Sequence, residues 1–280
     1  MFIVLRLLAT GSHGLLGSNI LPILERYYTV TALDIEEWDI TDRDAGNRMI
    51  REYKPDIILN LAAYTNVDGC EDCLSLADRV NADAAGIVSD LCVRHDVKLV
   101  HISTDYVFDG EKDSPYTEED VPNPASVYGL SKLSGERKVL NACPSAIVVR
   151  TQWLYGHGGV NFISKVTAIA RERGVAEVVD DQRGSPTYTK DLAEPIRALI
   201  EKNTAGIYHV ANSDSCTWFE FAREVFDRLK IEAQLSPITS VHLNRKAKRP
   251  RYSVFDCSKL TRDTGFRMRP WQEALQDYLG

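Results

Sequence analysis

Seven residues near the N-terminus, Gly11-Ser-His-Gly-Leu-Leu-Gly17, constrain this chain more than any other stretch. They follow the apolar run Leu5–Thr10 and open the segment Gly14–Tyr27, whose apolar residues fit a helix. A strand, a glycine turn and a helix in that order make a cradle for a dinucleotide pyrophosphate. Gly11 permits the tight turn, Gly14 lets the backbone approach the phosphates, and Gly17 lets the helix pack closely on the sheet. The helix N-terminus offers free N–H groups and the positive end of its dipole. Ser12, His13, Leu15 and Leu16 are expected along the same ligand.

The pattern after the turn alternates short apolar runs with longer amphipathic ones. Strands are expected at Leu5–Thr10, Val30–Asp34, Ile57–Leu61, Lys98–Ser103 and Ala146–Arg150. Helices are expected between them at Gly14–Tyr27, Arg43–Tyr53, Ala84–His95 and Val127–Asn141. Such alternation predicts an α/β fold, a Rossmann-type doubly wound parallel sheet covered on both faces. Beyond Arg150 the pattern loosens into helices at Phe162–Arg173, Asp191–Glu201, Thr217–Leu229, Ser258–Thr264 and Trp271–Leu279, with a strand at Gly206–Val210. Residues 1–152 plus about 188–211 read as the NAD(P)-binding domain. Residues 153–187 plus 212–280 read as a smaller, discontinuous α/β substrate lobe.

Composition removes other classes. The 280 residues are 44% hydrophobic and 26% charged, as in ordinary globular chains. A net charge of −7 argues against bulk attraction to nucleic acid or an acidic membrane. Arg6 interrupts the first apolar run, Met1–Ala9, which reads as a buried strand and not as a leader. No run approaches the roughly 18 apolar residues of a membrane span, so a cytoplasmic protein is expected. Cys70 and Cys73 lack the second ligand pair of a zinc site and read as reduced thiols on a loop. Neither the G-x-S-x-G nucleophile elbow nor the H-E-x-x-H metalloprotease motif occurs.

Two further clusters give the dinucleotide a reaction. Tyr128 and Lys132 are four residues apart on an expected helix and share one face. The lysine can hold the nicotinamide ribose, and its charge, with that of an oxidised nicotinamide, is expected to lower the phenol pKa. Tyr128 then serves as general acid toward a carbonyl, or as base in reverse. Ser103 and Thr104 end the fourth expected strand, at the sheet edge where such folds bind ligands. The Thr104 hydroxyl supplies a second donor to the same oxygen. Asp34 ends the second strand and can accept from an adenosine ribose, which favours NADH, with Asp39 and Ile40 near the adenine.

At these residues the chain resembles the dTDP-4-dehydrorhamnose reductase family of extended short-chain dehydrogenases, over nearly its whole length. The G-x-x-G-x-x-G spacing, Asn60–Asp68, Val80-Asn-Ala82, Ser103–Gly110, Tyr128–Glu136, Arg150–Gly156, Asp181–Thr187 and Arg249–Asp256 carry the likeness. It implies that Leu61, Ala62, Ala63, Tyr64 and Asn81 line an NADPH or NADH site. It places Thr65, Val67, Asp105, Tyr106, Trp153 and Asn161 at a nucleotide sugar, with Trp153 packed on the hexose. The implied reaction is reduction of the C4 ketone of dTDP-4-dehydro-L-rhamnose. The basic run Arg245–Arg251 offers Arg249 or Arg251 to the sugar diphosphate.

Two positions depart from the family pattern. Gln152 stands where serine is usual, and Asn19 stands where some members carry a metal-binding glutamate at a subunit interface. No metal is therefore expected, and a homodimer stays open. The same fold also serves nucleotide-sugar epimerases and dehydratases, but Tyr106 follows Asp105 where a dehydratase would use glutamate. A regulatory alternative is a noncatalytic protein like the β subunit of methionine adenosyltransferase, which shares the wording at Arg249–Arg251 and Asp256–Lys259.

Overall fold

The computed structural model describes residues 4–280, so Met1–Ile3 of the first apolar run lie outside the described residues. In chain order the first half is β1 (Arg6–Thr10), α1 (Gly17–Leu24), β2 (Thr29–Ala32), α2 (Arg43–Tyr53), β3 (Ile57–Asn60), α3 (Val67–Asp72), α4 (Leu74–Asp78), a π-turn (Arg79–Asp83), α5 (Ala84–His95), β4 (Lys98–Thr104) and α6 (Val127–Ala142). The second half is β5 (Ile147–Thr151), β6 (Leu154–Tyr155), α7 (Phe162–Arg173), β7 (Val175–Val179), β8 (Arg183–Gly184), β9 (Thr187–Tyr188), α8 (Ala193–Glu201), β10 (Gly206–His209), β11 (Cys216–Thr217), α9 (Trp218–Leu229), β12 (Gln234–Ile238), α10 (Ser258–Thr264) and α11 (Trp271–Leu279).

Six parallel strands form the main sheet in the order β10-β5-β4-β3-β1-β2. The chain runs from β1 outward to β2, then crosses back to β3 on the other side of β1. That reversal opens a crevice at the carboxyl ends of β1 and β3. Side chains alternate across the sheet. Leu7, Ala9, Ile57, Leu59, Val100 and Val149 pack with Ile20 and Leu24 of α1 and Ile196 and Leu199 of α8. Leu8, Ile58, Leu99 and Val148 pack on the opposite face with Ile50, Val88, Leu91 and Val139 of α2, α5 and α6. Each such aliphatic side chain contributes about 1.5–3 kcal/mol on full burial. Among the described residues, no helix is long and apolar enough to cross a membrane.

Three smaller sheets lie outside the main one, mostly among the residues expected to form the substrate lobe. β7 pairs with β12, β8 with β11, and β6 with β9. Their core joins Tyr155, Val178 and Tyr188 to Phe221, Val225 and Trp271. The segment Ser258–Met268, expected in this lobe, packs instead under the main sheet. Leu260 and Met268 join the α1 and α8 core, and Lys259 Nζ donates to Ile207 O at 2.7 Å.

Several boundaries move for local reasons. β2 stops at Ala32 because the Asp34 N–H turns away to the Glu37 carboxylate, at 2.9 Å. The first helix starts at Gly17, since Gly11–Gly14 is consumed by the turn, with Gly14 N bonded to Gly11 O at 3.2 Å. Thr189–Leu192 is a 3-10 turn before α8. Cys70 and Cys73 are not on a loop: Cys70 is buried in α3, and Cys73 joins α3 to α4.

A buried ion pair ties α6 to the sheet. Arg150 Nε and Nη2 donate to Glu136 at 2.9 and 2.7 Å, with both side chains 1% exposed. Removing one partner strands a buried charge, which costs about 3–5 kcal/mol, whereas an apolar replacement of both is far milder. Urea unfolding should therefore show Arg150→Met destabilised by about 3–5 kcal/mol and the Arg150→Met/Glu136→Leu double variant recovering much of that loss. A double variant with additive losses would contradict this account of the pair.

Candidate active site

A single cavity of about 560 Å³ runs along the sheet's carboxyl edge. Its wall includes Gly11, Gly14–Gly17, Asp34, Asp39 and Ile40 at one end and Thr104, Tyr128, Lys132 and Trp153 at the other. The glycine turn has the shape a dinucleotide needs. Gly11 has φ of +66°, and a Cβ there would lie 2.7 Å from Ala62 N. At Gly17 a Cβ would lie 2.5 Å from Ser12 O. Gly14 is different: a Cβ would meet only Gly11 O, at 3.3 Å, so the room saved there belongs to the cavity. Asp34 completes this end, accepting from His13 N and Ile35 N at 2.8 Å each. Carboxylate oxygens have further lone pairs, which leaves room for ribose hydroxyls.

The neighbouring wall is Leu61–Ala63 with Thr65 and Val67. Tyr64 and Asn81, expected at the cofactor, do not line the cavity. The Asn81 amide instead bonds both backbone groups of Tyr64, at 2.8 and 3.1 Å, and Ser131 Oγ at 3.0 Å. It fixes the path of the wall segment. Ser12 and His13 do not line the cavity either: Ser12 is buried and His13 is exposed.

At the reacting end, Thr104 Oγ1 donates to Asp105 Oδ1 at 3.0 Å and accepts from Tyr106 N at 3.2 Å. Burial raises the Asp105 carboxyl to about 6, against the bonds from Ser253 and Thr104. The Tyr106 ring meets Tyr128 edge-on at 5.3 Å. Lys132 Nζ donates to Ile102 O at 2.7 Å. Burial brings this amine down to about 8, opposed by Glu136. The Tyr128 phenol is shifted up, first by burial, with the Thr104 hydroxyl opposing. The expected lowering of the phenol is not found, because desolvation dominates. A raised phenol stays protonated, the form that donates to a carbonyl.

Two residues expected at the substrate do not line the cavity and bond within the protein. Asn161 caps α7: its Oδ1 accepts from Ser164 N at 3.2 Å and its Nδ2 donates to Gly156 O at 2.7 Å. Arg249 forks onto Asp68 with bonds of 2.9 and 2.8 Å. Trp153 does line the cavity, at φ of +48°, with its ring stacked on Trp218 at 3.6 Å. Sequence reasoning missed Ile35, Trp38, Val80, Ile102, Thr151, Gln152 and Leu154 in the wall. Val80 comes from the π-turn, which no periodicity announces. Thr151 and Gln152 could have been found, since they immediately precede Trp153 at a strand's carboxyl end.

The sequence model of the RmlD substrate binding domain matches residues 5–280. The chain belongs to this family. It is 39% identical over 275 residues to the spore coat polysaccharide biosynthesis protein SpsK of Bacillus subtilis, covering 98% of this chain and 96% of that protein. It is 37% identical over 286 residues to dTDP-4-dehydrorhamnose reductase of Aggregatibacter actinomycetemcomitans, covering 97% of each. A crystal structure of dTDP-4-dehydrorhamnose reductase from Bacillus anthracis in complex with NADP superposes with a TM-score of 0.95 at 37% identity, covering 99% of each chain. The family match and the cavity place this chain among NAD(P)H-dependent oxidoreductases.

The depressed Lys132 pKa has a signed consequence for stability. The unfolded amine holds its proton up to its ordinary 10.5, and the folded one releases it near 8. The unfolded state therefore binds more protons between these values, and stability rises with pH across that window. The drop corresponds to about 3 kcal/mol. Urea unfolding from pH 7.5 to 10.5 should show wild type gaining up to about 3 kcal/mol relative to Lys132→Met; parallel curves would contradict the buried, weakly basic amine.

Proposed function

We propose that this protein reduces the C4 ketone of a dTDP-activated 6-deoxyhexose, dTDP-4-dehydro-L-rhamnose above all, using NADPH or NADH. The observation that carries this reading is the continuity of one cavity from the glycine turn to Thr104, Tyr128 and Lys132. A dinucleotide held along the turn would extend toward the end where these side chains stand, and there it would supply hydride chemistry. The names of the Aggregatibacter and Bacillus anthracis relatives support the sugar.

The nicotinamide supplies a hydride; the rest is done by the chain. Tyr128 presents a hydroxyl donor to the carbonyl oxygen as it gains charge, and Thr104 adds a second by turning its one proton from Asp105 Oδ1 to that oxygen. The raised phenol keeps Tyr128 protonated through neutral pH, ready to deliver its proton to that oxygen. Lys132 would exchange its bond with Ile102 O for the nicotinamide ribose, and its charge, still held at neutral pH, steadies the phenolate left behind. Trp153, backed by Trp218, offers a rigid apolar wall to the hexose. Asp34 accepts from an adenosine ribose hydroxyl and repels a 2′-phosphate, so NADH is used alongside NADPH.

Two measurements test this. Tyr128→Phe should lower kcat for cofactor oxidation with dTDP-4-dehydro-L-rhamnose by about 10²–10⁴-fold while dinucleotide binding persists. Full activity in that variant would remove the assigned acid and favour a regulatory role. Asp34→Asn should raise kcat/KM for NADPH relative to NADH by on the order of tenfold, since it removes one repulsive charge near the surface. An unchanged ratio would take Asp34 out of cofactor selection.

A further inference from the structure

Gln152 lies one residue before Trp153, in the cavity wall, with only 2% of its surface exposed. Its Oε1 accepts from Ser185 N at 2.9 Å and from Ser253 Oγ at 3.3 Å. A backbone N–H can only donate, so the bond from Ser185 dictates which end of the amide faces it. The other end, Nε2, is buried and has no hydrogen-bond partner. Asp105, also in the wall and 2% exposed, has the complementary defect: its Oδ2 is buried and unpartnered. The Ser253 hydroxyl is committed to Gln152 Oε1, at 3.3 Å. Asp105 in turn bonds Thr104, beside the reacting carbon.

Native proteins rarely leave buried donors and acceptors unpaired, and two such groups on residues of one cavity wall call for a partner brought by the ligand. A sugar hydroxyl is both an acceptor and a donor, which is what this pair lacks. We propose that Gln152 is a specificity-determining residue that reads the hexose, its Nε2 donating to a ring hydroxyl that in turn donates to Asp105. This rests on the reading of the cavity as a keto-sugar site. On that reading the pair belongs to the sugar, since Thr104 and Trp153 line the same part of the wall. A substrate lacking that hydroxyl leaves both groups unpaired and is discriminated against.

The test compares kcat/KM of wild type, Gln152→Glu and Gln152→Met for dTDP-4-dehydro-L-rhamnose and for its counterparts lacking the C2 or the C3 hydroxyl. Glutamate keeps an oxygen for Ser185 and Ser253 but loses the donor; methionine removes the amide at similar volume. Wild type should prefer the fully hydroxylated sugar over one counterpart by about 10- to 100-fold. Both variants should lose most of that preference, because they lose far more rate on the hydroxylated sugar than on the counterpart. An unchanged preference, or equal losses on every sugar, overturns the inference and assigns Gln152 to packing alone. Absence of wild-type turnover on all three sugars would instead defeat the functional reading. The inference is then decided by calorimetry on NADP-loaded protein. A gain in affinity for dTDP-L-rhamnose over dTDP that disappears in Gln152→Glu supports it, and a wild type that binds the two equally overturns it.

Discussion

One buried carboxylate sets the geometry on which the site depends. Glu136 lies one helical turn beyond Lys132 and two beyond Tyr128 on α6, and it is pinned to β5 by Arg150. The same carboxylate accepts from Ser103 Oγ at 2.5 Å, and Ser103 precedes Thr104 on β4. One group thus fixes the helix that carries Tyr128 and Lys132 and the strand that carries Thr104. Arg150 is braced in turn by the Phe108 ring, 5.1 Å away, and by His209, itself stacked on Phe255. Taking two charges out of water is costly, and their attraction returns that cost only when the remaining bonds are made. Here they are made, and the return is positional: Thr104, Tyr128 and Lys132 stand in place before any ligand arrives.

A second polar row does the same for the glycine turn. Thr10 Oγ1 donates to Asn60 Oδ1 at 2.9 Å, and Asn60 Nδ2 meets His101 Nδ1 at 3.1 Å, across three neighbouring strands. Burial and the Lys132 charge hold His101 well below its usual range, so it stays neutral and accepts. Asn60 also takes the Ala62 N–H at 3.2 Å, the same Ala62 against which Gly11 is pressed. The turn, the cofactor wall and the sheet edge are therefore coupled through one amide.

Much of this was legible in the sequence because it rests on local rules. The glycine spacing, the β-branched strands and the Tyr128–Lys132 interval each encode their structure within a few residues. α2, α5, α7, α10 and α11 fall where periodicity puts them. The failures share a physical origin in long-range pairing. β7 and β12 find each other across some 60 residues, and neither run announces a strand without its partner. The same holds in the site. Arg249 reads as a phosphate ligand in the sequence, and its fork onto Asp68, 181 residues away, shows only in the structure. Asn161 reads as a sugar ligand, and its capping bonds likewise show only in the structure. The direction of the Tyr128 shift depends on burial, which spacing does not report. Gln152 was visible as a departure from the family pattern, but its open amide end was not.

The central claim is that the cofactor's hydride goes to C4 of a dTDP-activated keto sugar. The most direct test supplies NADPH or NADH deuterated at the transferred position together with dTDP-4-dehydro-L-rhamnose, and follows the product by NMR and mass spectrometry. The account predicts one deuterium per product molecule, located at C4, with one equivalent of oxidised cofactor. Product without deuterium at C4, or a cofactor that stays reduced while the sugar is consumed, would contradict it.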